Sequence, residues 1–324
     1  MKNDAVRRLL FFAAPLTFLV VVAGAFTRLS DAGLGCPDWP TCYGQIVGVP
    51  DAAAAAAHSP DSPLDSKKAW IEIAHRYIAA LLGLVVFAAA VLSLRSSESS
   101  PKNRAPLFAA VLVILQALLG MLTVTERLRP IVVSVHLMGG VFIFAVLVYA
   151  QTRPFLPRFF SPPFLRAACV FAATILAMQI FLGGWVSANY AALSCPDFPR
   201  CGGEWLPPTT DWGGFAPGRE LHLDSSGAPI SAAALATIHW THRAFAVFAA
   251  AVLGGFGILL WRAGMRGIAC GLWFLLAVQI ALGIVNVLAG LPLWSALSHN
   301  AVAALLAAQT AAAAAKIFRK SNLL

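Results

Sequence analysis

Eight separate apolar runs, each long enough to cross a lipid bilayer, determine what this chain can fold into. A bilayer core requires about 20 residues of helix, and 59% of the 324 residues are hydrophobic whereas only 11% are charged. In lipid a helix satisfies its own backbone hydrogen bonds, so the pattern predicts an all-α polytopic membrane protein with eight transmembrane helices. The runs are Leu9 to Thr27, Ala69 to Leu94, Pro106 to Val124, Ile131 to Ala150, Phe164 to Ala188, Ala232 to Trp261, Ile268 to Ala289 and Trp294 to Ala315.

Positive charge predicts the orientation of the spans. Lys and Arg are retained on the cytoplasmic side of a membrane, and with the N-terminus inside, fourteen of the 23 fall in inner segments and seven in outer loops. Both termini are therefore expected to be cytoplasmic, in a multi-pass protein of the inner (cytoplasmic) cell membrane. This topology also explains the net charge of +9, and no aromatic-interleaved basic stretch indicates nucleic acid binding.

Several motifs occur twice, in the same order. The outer-loop sequence Leu-Gly-Cys-Pro-Asp-Trp-Pro-Thr-Cys begins at Leu34, and Leu-Ser-Cys-Pro-Asp-Phe-Pro-Arg-Cys begins 159 residues later at Leu193. A His-Arg pair in span 2 recurs in span 6, and a Gln-x-x-x-Gly motif in span 3 recurs in span 7. The sequence Ser-Val-His in span 4 has Leu-Ser-His as its counterpart in span 8. An internal repeat indicates duplicated units. We therefore expect two tandem, parallel-duplicated four-helix bundles, residues 1–155 and 156–324.

Four histidines lie near the outer ends of the even-numbered spans, two in each half. They are His75, His136, His242 and His299. A single histidine in a span is as often a helix-helix hydrogen bonder as a ligand, but ionisable residues inside spans favour a functional interpretation. Two imidazoles facing each other across a bundle are a natural axial pair for haem iron. The pattern thus predicts two haem sites, roughly 8 to 10 Å below the outer boundary at 1.5 Å of rise per residue.

One difference between the halves indicates where chemistry takes place. When the His-Arg pairs are aligned, Glu72 in the first half falls opposite His239 in the second. A buried carboxylate is energetically costly, and Glu72 shares a helical face with His75. Glu72 is therefore the candidate catalytic residue, for proton transfer or for positioning water. The alternative is an interfacial glutamate that reaches outer water or pairs with Arg76.

Each duplicated outer loop carries two cysteines. Five residues, including two prolines, separate Cys36 from Cys42 and Cys195 from Cys201. The pairs either staple the loops or, in the first half, take part in redox chemistry. The signatures Cys-x-x-Cys-His of c-type haem attachment and Cys-x-x-Cys of thioredoxin-like proteins do not occur.

Together these motifs resemble the haem A synthase family over nearly the whole chain. The resemblance rests on Gly33 to Gly44, Glu72 to Arg76, His136, the pair His242-Arg243, and His299. It implies an enzyme that oxidises the C8 methyl of haem O to the formyl group of haem A, by successive hydroxylations to a gem-diol that loses water.

The resemblance also implies a role for each site residue. His75 and His136 would hold the substrate haem O, Glu72 would be the essential carboxylate, and His242 with His299 would ligate a resident haem b. It further implies the disulfides Cys36–Cys42 and Cys195–Cys201. By analogy a haem O synthase supplies the substrate, a haem-copper terminal oxidase receives the product, and the electron donor is unknown.

Three other functions fit part of the pattern. A di-haem b electron carrier has the same histidine pairs but needs no carboxylate in one half only. A non-catalytic haem O chaperone would bind the substrate and pass it on unchanged. A membrane thiol oxidoreductase that uses Cys36 and Cys42 would leave the intramembrane histidines unexplained.

Overall fold

The computed structural model describes residues 2–95, 105–152 and 161–319, which are helical apart from the connecting loops. The boundary expected between residues 155 and 156 lies outside these ranges. A 3-10 helix, Trp212–Phe215, lies in a long outer loop. The α-helices are α1 (Lys2–Leu29), α2 (Ala52–His58), α3 (Ser66–Leu94), α4 (Ala105–Thr125), α5 (Pro130–Thr152), α6 (Pro163–Ala188), α7 (Ala232–Arg262), α8 (Arg266–Leu288) and α9 (Leu293–Ile317).

Within the described ranges, eight helices are long and apolar enough to cross a membrane, as the sequence predicts. Some helices extend beyond their apolar runs because polar residues cap them. The carboxylate of Asp65 accepts a hydrogen bond from the backbone N–H of Lys68 at 3.1 Å and starts α3 at Ser66. The hydroxyl of Ser231 caps α7 in the same way. Such caps satisfy backbone donors that lack an intrahelical partner.

The short helix α2 was not predicted, because we expected its alanine run to be a variable outer segment. The carboxylate of Asp51 accepts a hydrogen bond from the N–H of Ala54 at 2.8 Å. Alanine has the highest helix propensity, so one capped turn in the outer loop is enough to start this helix.

Helix contacts follow chain order within each half. Helices α1, α3, α4 and α5 pack as a closed ring, in which α5 returns to α1. Helices α6, α7, α8 and α9 do the same, and α9 returns to α6. Between the two rings, α5 contacts α6 and α9, and α1 contacts α9. Fully buried alanines such as Ala89, Ala172 and Ala304 let the helices approach closely.

The outside of the helices is apolar. Leu84, Val247 and Phe274 are each more than two-thirds exposed on the helix surfaces. In a water-soluble protein such side chains would be buried, and their exposure fits contact with lipid chains.

At the ends of α1 and α6 the two rings meet through polar contacts. The guanidinium of Arg28 donates a hydrogen bond to the backbone carbonyl of Ser187 at 2.6 Å and stacks on the ring of Tyr190. The hydroxyl of Tyr190 donates to the carboxylate of Asp31 at 2.5 Å, and Lys68 forms an ion pair with the same carboxylate at 2.7 Å. Hydrogen bonds from Lys68 and Tyr190 hold the pKa of Asp31 below its ordinary value. We call these five residues the outer seam.

Candidate functional site

The four histidines lie in the outer parts of α3, α5, α7 and α9. His136 and His299 are the seventh residues of α5 and α9, whereas His75 and His242 are the tenth and eleventh of α3 and α7, because these helices begin about one turn earlier. All four are partly buried. His75 and His136 lie on α3 and α5, at opposite corners of the first ring of helices, and His242 and His299 lie on α7 and α9, at opposite corners of the second. The structure therefore places the two histidines of each half across one bundle from each other.

A glycine on the preceding helix of the ring faces each imidazole. A Cβ atom built on Gly24 would lie 3.0 Å from Cε1 of His75, and one on Gly120 would lie 3.2 Å from Cε1 of His136. In the second half the corresponding distances are 3.1 Å from Gly183 to His242 and 3.2 Å from Gly283 to His299. Any side chain at these positions would push on the ring. The four glycines thus allow the Cε1 edge of each ring to lie close to the neighbouring helix.

Most of the imidazoles keep a ring nitrogen without a protein partner. The Nδ1 atoms of His75, His136 and His299 are buried and accept or donate no hydrogen bond. Buried polar atoms are rarely left unsatisfied, and such atoms point to a missing ligand or to a ring that turns when a ligand binds. Paired imidazoles with free nitrogens and glycines opposite them fit the axial ligand set of a haem.

A glutamine lies one helical turn before three of the four glycines. The side-chain amide of Gln116 donates to the backbone carbonyl of His136 at 2.7 Å. The amide nitrogen of Gln279 lies 3.0 Å from Nε2 of His299, and that of Gln179 lies 3.2 Å from Nδ1 of His242. The repeated Gln-x-x-x-Gly motif contains Gln116 with Gly120 and Gln279 with Gly283. Gln179, Gly183 and Gly24 were not predicted.

Glu72 is almost completely buried, with 4% of its surface exposed. One carboxylate oxygen pairs with the guanidinium of Arg76 at 2.5 Å, and the other accepts the backbone N–H of Cys36 at 2.9 Å. The ion pair with Arg76, which the sequence left as an alternative, is therefore formed. His239 is equally buried, and its Nδ1 accepts the backbone N–H of Cys195 at 3.1 Å. The two residues that the repeat aligns thus hold equivalent loop positions.

Both cysteine pairs form disulfides, as the resemblance implies. Cys36 is bonded to Cys42, and Cys195 to Cys201. Each closes a tight outer loop whose carbonyl groups turn towards an arginine. Arg76 donates to the carbonyls of Asp38 and Thr41 at 2.9 and 2.7 Å.

In the second half Arg243 donates to the carbonyls of Asp197, Pro199 and Arg200, at 2.8 to 2.9 Å. The arginines that follow His75 and His242 therefore anchor the loops above them. This explains why the His-Arg pair and the cysteine loop occur together in both halves, a connection that the sequence alone did not reveal.

An aspartate organises the inside of each loop. The carboxylate of Asp38 accepts the N–H groups of Tyr43 and Gly44, at 2.6 and 2.8 Å, and a hydrogen bond from Thr41. Partial burial raises the pKa of Asp38, but these hydrogen bonds outweigh burial and hold it below its ordinary value. Asp197 accepts the N–H groups of Gly202 and Gly203 in the same manner. The Cys-Pro-Asp motif is thus a loop-forming motif.

A cavity of about 450 Å³, widely open to the surface of the helices, lies beside His75, between α1 and α3. Apart from His75 and Lys67, its lining is apolar, with Phe26, Trp70 and Ile78 among the contributors. A large apolar ligand can reach the first histidine from this side.

The two remaining outer histidines do not join either pair. The ring of His58 lies against Gly44, with Nε2 3.7 Å from the carboxylate of Asp38. The ring of His222 stacks on Tyr190 at 5.4 Å. Both therefore contribute to contacts within the outer loops.

Comparison with known proteins places the chain in one family. Residues 7–311 match the family COX15-CtaA, described as cytochrome oxidase assembly protein. A protein of Shewanella oneidensis named "Heme A synthase" is 41% identical over 298 residues, which cover 90% of each chain. A protein of the same name from Methylobacterium radiotolerans is 30% identical over 93% of this chain and 87% of its own length.

A more distant relative, from Halalkalibacterium halodurans, carries the same name and is 26% identical over 89% of both chains. The family match extends across both rings of helices, and its range contains the site residues described above. The chain therefore belongs to the COX15-CtaA family of cytochrome oxidase assembly proteins, a family of oxidoreductases whose curated relatives are named heme A synthase.

Proposed function

We propose that this protein is a haem A synthase, which oxidises the C8 methyl of haem O to the formyl group of haem A in the cell membrane. The observation that carries the proposal is a difference between the two halves. Both contain a pair of imidazoles faced by glycines, but among the residues that the structure describes only the first half has a buried carboxylate, Glu72, next to a predicted ligand histidine. The names of the relatives support the same activity.

The two halves are, in our proposal, tandem parallel copies of one four-helix unit, residues 1–155 and 156–324, with both termini in the cytoplasm. The two closed rings of helix contacts support this. So does the outer seam, where Arg28 contacts Ser187 and Asp31 contacts Tyr190, both pairs 159 residues apart. This is the offset of the cysteine loops, and equivalent positions meet only near a two-fold axis.

The second half would bind a resident haem b through His242 and His299. The glycines opposite both rings and the unpartnered Nδ1 of His299 fit such a ligand. A haem b with two imidazole ligands supplies one-electron transfer. The protein's part is to fix both rings and to keep the site apolar.

The first half would bind haem O through His75 and His136. Haem O is a large apolar substrate, and the apolar cavity beside His75 supports binding on this side. Because His75 lies within one helical turn of Glu72, the bound substrate would come close to the carboxylate.

Glu72 would act as the proton acceptor when the methyl group is oxidised. Its ion pair with Arg76 keeps a charged carboxylate inside the bundle, and a carboxylate held beside a reacting carbon can take up the proton that the oxidation releases. The backbone N–H of Cys36 fixes its direction. A haem O synthase would supply the substrate, a terminal oxidase would receive haem A, and an external partner would exchange electrons.

The experiment is to express the chain in a host that makes haem O but no haem A, and to identify the extracted porphyrins by mass. We expect haem A with the wild type. In Glu72→Gln both haems stay bound while haem A falls about 100-fold or more, the usual contribution of a general base. The matched control is Glu126→Gln, which removes a half-exposed carboxylate that pairs with Arg129, and it keeps full haem A output.

Other outcomes would contradict the proposal. Undiminished haem A in Glu72→Gln removes the catalytic role of this residue. Two bound b-type haems with no haem A in the wild type would instead identify a di-haem electron carrier. Bound haem O that is released unchanged would identify a chaperone.

A further inference from the structure

The four helices that carry the ring-facing glycines differ at one position. One turn before each glycine stand Val20 in α1, Gln116 in α4, Gln179 in α6 and Gln279 in α8. Three of the four are glutamine. The exception is Val20, an apolar residue of the first half at the position that Gln179 occupies in the second.

Gln179 also differs from the other two glutamines in the atom that it contacts. Gln279 lies against Nε2 of its histidine, His299, at 3.0 Å, whereas Gln179 lies against Nδ1. Its side-chain nitrogen lies 3.2 Å from Nδ1 of His242 and 3.3 Å from the backbone carbonyl of the same residue. Gln116 reaches only the backbone carbonyl of His136, and Nδ1 of that ring has no partner. Nδ1 of His75 also has none. Among the four paired imidazoles, His242 alone therefore has a side-chain partner at Nδ1.

The remaining amide atom of Gln179 is unsatisfied. Its Oε1 is buried and has no hydrogen-bond partner. A carboxamide exchanges its oxygen and nitrogen when the amide plane turns by about 180°. The turned amide would bring Oε1 to the position beside Nδ1 of His242, where it can accept a hydrogen bond, and would give up the hydrogen bond that the amide nitrogen now donates to the backbone carbonyl of His242.

A haem iron bound to His242 would favour this rotation of the Gln179 amide. A histidine that coordinates a metal through Nε2 keeps its proton on Nδ1, and that N–H needs an acceptor. An acceptor at Nδ1 raises the basicity of the ring and fixes its orientation. A more basic axial ligand stabilises ferric over ferrous iron, so the acceptor lowers the midpoint potential.

We propose that Gln179 is a positioning residue for the resident haem b: its amide oxygen accepts the Nδ1–H of His242, fixes the ring and lowers the midpoint potential of that haem. This inference rests on the proposed function, since it requires His242 to be an axial ligand. Val20 leaves His75 without such an acceptor. The haem of the second half is therefore the more firmly held and has the stronger axial ligand.

The test uses the purified full-length protein with haem bound. Redox titration of the visible bands gives the midpoint potential of the resident haem, and the electron paramagnetic resonance of the ferric form reports the axial field. In Gln179→Leu, which removes the acceptor, we expect the potential to rise and the g values to change. Gln179→Glu has the same shape and a stronger acceptor, so its potential should fall below that of the wild type.

Gln116→Leu is the matched control, because Gln116 contacts only a backbone carbonyl in the other half. It should leave the resident haem unchanged. If both variants of Gln179 keep the wild-type potential and g values, or if both move the potential in the same direction, the inference is wrong. If His242→Ala keeps the wild-type haem b spectrum, the ligand assignment within the proposed function is wrong instead. Should Gln179→Leu not fold, the shift in Gln179→Glu decides alone.

Discussion

Glu72 and His239 accept the same hydrogen bond in the two halves, each from the backbone N–H of the first cysteine of an outer loop. The distances are 2.9 Å at Cys36 and 3.1 Å at Cys195. The neutral acceptor His239 is sufficient for holding a loop. Glu72 is a charged acceptor, balanced by Arg76 at 2.5 Å. Holding the loop does not require that charge, so the charge indicates a further role for Glu72.

Replacing Arg76 by glutamine should strongly destabilise the protein. The substitution leaves the buried Glu72 carboxylate without its counter-charge and releases the loop carbonyls of Asp38 and Thr41. Breaking a buried pair costs about 3 kcal/mol or more. Arg129→Gln is the control, because its pair with Glu126 is about one-third exposed on both sides and is worth about 0 to 1 kcal/mol. Thermal unfolding in detergent measures both, and equal losses would argue against a buried pair.

The histidine pairs should separate the two haems. His242→Ala and His299→Ala should abolish the resident haem b signal, whereas His75→Ala and His136→Ala should keep it and lose bound haem O and haem A. His222→Ala, whose ring stacks on Tyr190 outside both pairs, should change neither. Visible spectra of purified protein and extracted pigments measure these effects. A haem b signal that disappears with His75 rather than with His242 would reverse the assignment of the halves.

A side chain at Gly183 should reduce haem b without unfolding the protein. In Gly183→Val the new Cβ would lie 3.1 Å from Cε1 of His242, so the ring must shift away from its position. Gly255→Val is the matched control, because a Cβ there meets no atom within 4 Å. The haem-to-protein ratio after purification should fall in the first variant and not in the second. Equal ratios would mean that the ring position does not matter for binding.

The outer seam should lose part of its stability in acid. The pKa of Asp31 lies below its ordinary 3.8, through hydrogen bonds from Lys68 and Tyr190. A lowered pKa in the folded state contributes stability above the unfolded pKa, and this is lost as the pH falls through the folded value.

Asp31→Asn should therefore be less stable than the wild type at pH 7, by about 1 kcal/mol or less because the side chain is more than half exposed. The difference should shrink once the pH falls below about 4. Melting curves at neutral and acidic pH measure it, with Asp61→Asn as an exposed carboxylate control. A difference that is the same at both pH values would exclude protonation of Asp31 as its cause.

The sequence predicted the eight spanning helices because a long apolar run satisfies its own backbone hydrogen bonds in lipid by forming a helix. It did not predict the first turn of α3, which begins after the polar cap Asp65, outside the apolar run, whereas α7, capped by Ser231, begins at Ala232 as predicted. The caps act through single hydrogen bonds, which leave no hydropathy signal.

The predicted ligand histidines and Glu72 came from the repeat, and the structure places each histidine pair on opposite helices of one ring. What surrounds them was not predictable in the same way. A glycine within a span resembles any other small residue in a chain with 25 glycines. Only the packing identifies Gly24 and Gly183 as the residues opposite the rings. The same packing shows that Gln179 contacts His242, and so that the difference between Val20 and Gln179 lies next to a predicted ligand histidine.

Contacts between Arg28 and Ser187, and between Asp31 and Tyr190, have a consequence for how such a chain could arise. Two separate copies of the first half, assembled around the same axis, would bring Arg28 against Arg28 and Asp31 against Asp31, which repel each other. Two copies of the second half would lack those charges altogether. In the single polypeptide each side of the meeting point carries a different residue, so Arg28 and Asp31 meet uncharged partners, Ser187 and Tyr190.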